Sequence, residues 1–173
     1  MQTIKNTITK LACYFWNNPL VLTLIMSASL LIGAYGFQYI GGMEPCDLCW
    51  PQRYAHMAIL GLSAIGLIFK NIRPALSWAT LAALEASFAI AGYHAGVEQK
   101  WWKGPETCTS DGLAQSTDMD SLFDSMMEAK LVLCDEIPWE MFGISMAGYN
   151  FLISFGVALF VTFALISRLR TKK

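Results

Sequence analysis

The chain has 173 residues, 55% of them hydrophobic and 14% charged, and its formal net charge at pH 7 is −1. Soluble domains carry about 25% charged residues, so the apolar surplus has to face something other than water. A near-neutral balance with its bases spread over short separate segments gives no footing for a nucleic-acid partner.

The apolar residues fall in four blocks, Leu20 to Ile40, Tyr54 to Phe69, Ala75 to Gly96 and Phe142 to Ile166. A helix rises about 1.5 Å per residue, so about 20 residues cross the bilayer core. A buried helix of a soluble bundle keeps a polar face, whereas the first block offers only scattered Thr, Ser and Tyr and the amide of Gln38. The expected fold is an all-α membrane protein, a four-helix transmembrane bundle forming a single membrane domain over residues 1–173. Its spans are expected at about 20–40, 50–69, 75–96 and 142–166.

In chain order, residues 1–19 come first. Ile4, Ile8, Leu11 and Phe15 recur at helical spacing, which predicts an amphipathic helix on the cytoplasmic surface with Cys13 as an inert small residue in it. The first span is too long for a cleaved signal peptide, has no basic residue directly before it and is followed by three similar blocks. Lys5, Lys10, Lys70, Arg73, Arg168, Arg170, Lys172 and Lys173 lie in segments without acids. The positive-inside rule then puts 1–19, 70–74 and 167–173 in the cytoplasm, and 41–49 and 97–141 outside.

The outer segment 41–49 holds Cys46-Asp47-Leu48-Cys49 between Pro45 and Pro51. Pro51 suits the first turn of a helix, so the second helix is expected to start near Cys49. Helix-terminal N–H groups and Arg53, one turn beyond Cys49, would both favour a thiolate there. A static staple or half of a zinc site are the bland alternatives. Zinc takes four ligands, and Cys108 and Cys134 are isolated from each other in sequence.

In the third span Glu85 is the only carboxylate expected at depth, and the reading is a neutral group hydrogen-bonded inside the bundle. His94 sits near the outer end of that span, at the level of Arg53, and the two are candidates to converge on one ligand, with His56 as the rival. In the segment 97–141, Met119, Leu122, Phe123, Met126 and Met127 predict a short amphipathic helix over about Asp118 to Lys130, with Thr117 and Asp120 as a capping box. If Cys108 and Cys134 pair, they close a loop around it, either as a staple or as a reachable disulfide flanked by Gly104, Pro105, Gly112 and Pro138. Trp50, Trp101, Trp102, Trp139 and Tyr149 form an expected outer aromatic belt, and Trp16 an inner one.

Four cysteines on one oxidising face suggest a relay by thiol–disulfide exchange. No haem, iron–sulfur or dinucleotide motif is present to take the electrons, so the simplest acceptor is a membrane-soluble carrier beside Cys49. With Pro45-Cys46-Asp47-Leu48-Cys49, Gln52-Arg53, Tyr93 to Glu98, Gly104-Pro105 and Gly143 to Asn150, the chain resembles the DsbB family of bacterial inner-membrane quinone reductases, which reoxidise the periplasmic thiol oxidase DsbA. The resemblance covers nearly the whole chain. It implies disulfides Cys46–Cys49 and Cys108–Cys134, all four cysteines catalytic, and a DsbA-like partner that attacks the loop pair. It also implies quinone as the cofactor, ubiquinone ahead of menaquinone, with Arg53 and His94 beside it and the freed Cys49 thiolate in charge-transfer contact with its ring. No resident metal is implied. Asp47-Leu48 is more acidic than the apolar dipeptide associated with the family, and the added negative charge is expected to raise the local thiol pKa somewhat. The rival readings are a relative of the vitamin K epoxide reductases, whose CxxC falls late in the bundle, and a scaffold or metal-handling membrane protein with structural cysteines.

Overall fold

The computed structural model describes residues 2–105, 108 and 132–171. Its elements are α1 (Gln2–Asn17), α2 (Pro19–Tyr39), α3 (Cys49–Ile68), α4 (Arg73–Glu98), the strands β1 (Glu140–Met141) and β2 (Ile144–Ser145), and α5 (Met146–Thr171). Helices α2, α4 and α5 are long and apolar enough to cross a membrane, with mean hydropathies of 2.0, 1.3 and 2.1. The chain is therefore a multi-pass membrane protein. Helix α3 packs against both α2 and α4, and α4 packs in turn against α5.

Local chemistry sets the helix starts. Pro19 opens α2 and Pro74 lies in the first turn of α4, positions where a missing N–H leaves no bond unmade. Helix α3 begins at Cys49, with Pro51 in its first turn. The last helix begins at Met146, later than the expected 142, because residues 140–145 form an antiparallel hairpin pairing Glu140 with Ser145 and Met141 with Ile144. Phe142 and Gly143, at φ 53° and 74°, supply the two left-handed residues that such a tight turn needs. The Ser145 hydroxyl then accepts the Gly148 N–H at 3.1 Å and caps α5.

The bundle is built inside out relative to a soluble one. Thr23, Ser27, Ser63, Thr80, Ser87 and Ser154 are fully buried between helices, whereas Ile32 and Phe163 are 72% and 62% exposed on the outside. Lipid is as apolar as leucine, so helices associate where small side chains let them approach and hydroxyls bond across the seam. The Thr23 and Ser63 hydroxyls, 2.8 Å apart, join α2 to α3 in this way. An apolar layer of Met26, Ile59, Leu81, Leu84, Ala158, Val161 and Leu165 fills the centre.

Helix α1 exposes Ile4, Ile8 and Leu11 along one side, and Cys13 is exposed. At its end, the Trp16 ring lies 5.4 Å from Phe160 and the Trp16 carbonyl accepts a 2.9 Å bond from Arg168 Nη2, so α1 and the end of α5 meet. Glu85 departs from expectation: it is on the exposed outer side of α4, and among the described residues no hydrogen bond or ion pair holds it. Leu81, Leu84, Ser87 and Ala91 take the inward face, and one step of about 100° beyond Leu84 turns Glu85 away from the bundle. The helix expected over Asp118 to Lys130 lies outside the described residues.

Ile59 is fully buried in the apolar layer. Ile59→Ala is expected to lower stability by about 2–4 kcal/mol in an SDS-unfolding titration, and Ile32→Ala, on the outer face, by less than about 0.5 kcal/mol.

Candidate active site

The turn before α3 brings the two cysteines of the CxxC together. The Cys49 N–H donates to the Cys46 carbonyl at 3.0 Å, and the two sulfurs are also 3.0 Å apart. Both are free thiols here, so the Cys46–Cys49 bond implied by the family resemblance is open, while Cys108 and Cys134 are joined, with Cα atoms 5.4 Å apart. Cys46, Val97, Cys108 and Cys134 form one buried cluster, against which Leu48 and Cys49 pack. The two pairs are neighbours, one closed and one open.

His94, from the last turns of α4, points Nε2 at Cys46 Sγ over 3.5 Å and at Glu98 Oε1 over 3.8 Å. The Ser145 hydroxyl donates to the other Glu98 oxygen. Arg53 is buried and reaches across to α2, where Nη1 donates to Gln38 Oε1 at 2.5 Å and Nη2 to the Ala34 carbonyl at 3.3 Å. Its guanidinium also lies over the Tyr35 and Trp50 rings, 4.9 and 5.3 Å from their centroids. These contacts fix the guanidinium beside the CxxC, and among the described residues no carboxylate is ion-paired with it.

A cavity of about 310 Å³ opens between α2 and α5, walled by Phe37, Cys49, Arg53, His56, His94 and Asn150 among others. At its mouth the Trp139 ring lies 5.0 Å from Phe37 and 6.2 Å from Tyr149. A mostly apolar slot with a thiol, a guanidinium and a few amide and imidazole groups on its wall fits a flat apolar ring bearing hydrogen-bond acceptors. A quinone has that chemistry. Bound there, it supplies an acceptor for two electrons and two protons.

Of the expected site residues, the structure gathers Cys46, Cys49, Arg53 and His94 on this cavity, with Cys108 and Cys134 packed behind Cys46. His56, the rival to His94, shares the same wall. Gln38, Gln52, Glu98 and Asn150 went unnoticed in the sequence as site residues. Their signal is polarity within or at the end of an apolar span, which is a functional pointer by default.

Hydrogen bonding to the Cys49 sulfur, then burial and the Cys49 charge, push the Cys46 thiol far above the ordinary cysteine range. Cys46 is therefore the thiol of the pair that holds its proton more tightly.

The sequence model of the family described as Disulfide bond formation protein DsbB matches residues 17–164. The chain belongs to the DsbB family. It is similar to Disulfide bond formation protein B of Paracidovorax citrulli, 29% identical over 147 residues that cover 80% of this chain and 82% of the relative. The same-named protein of Stutzerimonas stutzeri is 29% identical over 161 residues, 86% of this chain and 93% of the relative. That of Polaromonas is 27% identical over 161 residues, 88% and 93% of the two chains. No solved structure gives a significant match. As a DsbB-family protein the chain is an oxidoreductase that couples thiol oxidation to quinone.

Because Cys46 stays protonated through mildly alkaline pH, iodoacetamide at pH 8 is expected to alkylate Cys49 roughly tenfold faster than Cys46 while the loop disulfide stays closed. Peptide mass spectrometry over a time course reads the order.

Proposed function

We infer that the chain oxidises a periplasmic DsbA-like dithiol protein through Cys108–Cys134 and passes the electrons through Cys46 and Cys49 to ubiquinone. The observation that carries this reading is that the Cys108–Cys134 bridge packs directly against Cys46, while Cys46 and Cys49 line the wall of an apolar cavity. A partner thiolate attacks the loop disulfide, and the partner leaves as a disulfide with two thiols formed on the loop. The loop dithiol then reduces a Cys46–Cys49 disulfide by the same exchange, which restores Cys108–Cys134 and leaves the CxxC as a dithiol. That distribution of bonds is the one described above. The CxxC dithiol closes to a disulfide as two electrons and two protons pass to the quinone. Arg53 holds positive charge where negative charge develops, and the cavity walls exclude water.

The proposed setting is the bacterial inner membrane, as a four-helix bundle in which α3 also crosses, as the second span in chain order. Both termini and the turn bearing Lys70 and Arg73 face the cytoplasm, and the cysteines face the periplasm. The acid-free basic segments support this, as does the meeting of Trp16 with Arg168. The CxxC opens α3 and does not fall late in the bundle, which separates the chain from a vitamin K epoxide reductase-like arrangement. A metal-handling role has one observation in its favour. Ligand atoms of Cys46, Cys49 and His94 lie within 4.8 Å of one another.

The test is anaerobic reduction of ubiquinone, and separately menaquinone, by a reduced DsbA-like protein with the full chain in detergent. Turnover is expected with the wild type and only background with Cys46→Ala or Cys108→Ala. Unchanged turnover in either variant would sink the relay. Arg53→Met is expected to raise the KM for quinone about tenfold, the scale of one charge-assisted hydrogen bond, with loop-disulfide exchange unaffected.

A further inference from the structure

Behind the CxxC a line of hydrogen bonds runs from α2 through α3, α5 and α4 to the Cys46 sulfur. Ser27 Oγ meets His56 Nδ1 at 3.2 Å, and His56 Nε2 meets Asn150 Oδ1 at 2.8 Å. Asn150 Nδ2 meets Gln52 Oε1 at 2.8 Å, and Gln52 Nε2 meets His94 Nδ1 at 2.8 Å. His94 Nε2 then faces Cys46.

One contact sets the direction of the whole line. Gln52 Nε2 also lies 3.0 Å from the Leu48 carbonyl, which can only accept, so the Gln52 atom there is the amide nitrogen. Its second hydrogen goes to His94 Nδ1, which must therefore be unprotonated. A neutral imidazole then carries its proton on Nε2, where the Cys46 sulfur and a Glu98 oxygen can accept it, and the Cys134 carbonyl is a further acceptor at the same imidazole. In the other direction, Gln52 Oε1 accepts from Asn150, whose own oxygen accepts from His56 Nε2–H and from the Ser154 hydroxyl at 3.0 Å. His56 Nδ1 is left to accept from Ser27. Every donor points toward the CxxC, and aligned bonds of this kind polarise one another.

We propose that Gln52, Asn150 and His56 are positioning residues for thiol oxidation, forming with His94 a one-way hydrogen-bond chain that fixes the His94 proton on Nε2 and aims it at Cys46. His94 is thereby a hydrogen-bond donor to the cysteine pair and not the base that deprotonates it. The Cys46 sulfur lies 3.0 Å from that of Cys49, so the partial positive ends of successive donors stabilise negative charge on the cysteine pair. The same polarity opposes a metal on Nε2, because a metallated imidazole carries its proton on Nδ1, where it would meet the N–H of Gln52 head on. The proposal rests on Cys46 and Cys49 being the redox pair.

The chain has two histidines, so ring-¹⁵N NMR of the full-length protein in detergent needs one further variant, His56→Gln, to assign both. At neutral pH, His94 in the wild type is expected as the neutral Nε2–H form. Gln52→Glu, which puts an acceptor opposite Nδ1, is expected to move the proton to Nδ1. Gln52→Met, nearly isosteric and without a donor, is expected to leave both forms populated and to lower kcat for quinone reduction about tenfold, with KM for quinone within twofold. A wild-type His94 protonated on Nδ1 overturns the proposal, and so does a mixed His94 in Gln52→Met with unchanged kcat. Turnover surviving Cys46→Ala would instead overturn the redox reading while leaving the tautomer result standing.

Discussion

A carbonyl oxygen can accept a hydrogen bond but cannot donate one, and the 3.0 Å contact between the Leu48 carbonyl and the Gln52 side chain applies that asymmetry to the centre of the protein. Leu48 sits between the two cysteines of the CxxC in sequence, at the position just before α3. Gln52 is one turn further on, so the helix itself delivers the amide to that carbonyl. From there the orientation of Asn150 and the proton positions on His94 and His56 follow by elimination. A short-range backbone geometry thus governs contacts between four helices.

The bilayer makes such a network necessary. Water is absent from the hydrocarbon core, and an unsatisfied polar group there costs several kcal/mol, so buried polar groups are driven to partners inside the protein, with the Thr80 hydroxyl an exception. Thr23 with Ser63, and Ser27 and Ser87 with His56, are bonds of this kind, and they hold α3 between its neighbours. The outward isoleucines and phenylalanines do the opposite task and meet lipid. Glu85 stands outside this scheme on the lipid-facing side of α4, and nothing in the structure explains it.

The chemistry depends on keeping two disulfide-forming pairs close but distinct. Val97 and the Cys108–Cys134 bridge seal Cys46 from one side, and His94 closes another. Cys49 is the less buried residue of the CxxC, and both of its cysteines line the cavity. Trp102 adds rigidity near His94. Its ring stacks on Tyr93 at 6.1 Å, its indole N–H donates to the Tyr93 carbonyl, and it fills the space that a side chain at Gly96 would take.

Hydropathy is a sum over consecutive residues and does not depend on what packs where, which is why the apolar helices α2, α4 and α5 were legible in the sequence. The start of α3 was legible too, since Pro51 and the CxxC act within one turn of chain. The start of α5 was not, because Phe142 reads as apolar whether it lies in a helix or, as here, at the left-handed corner of a hairpin. Glu85 and Asn150 show the deeper limit. Each is a polar residue inside an apolar run, yet one points outward and the other joins Gln52 to His56. The sequence by itself determined the membrane class, the apolar helices and the cysteine motifs. Only the tertiary structure decided which polar side chains meet, because that depends on the rotation of each helix about its axis against its neighbours, and no local pattern contains it.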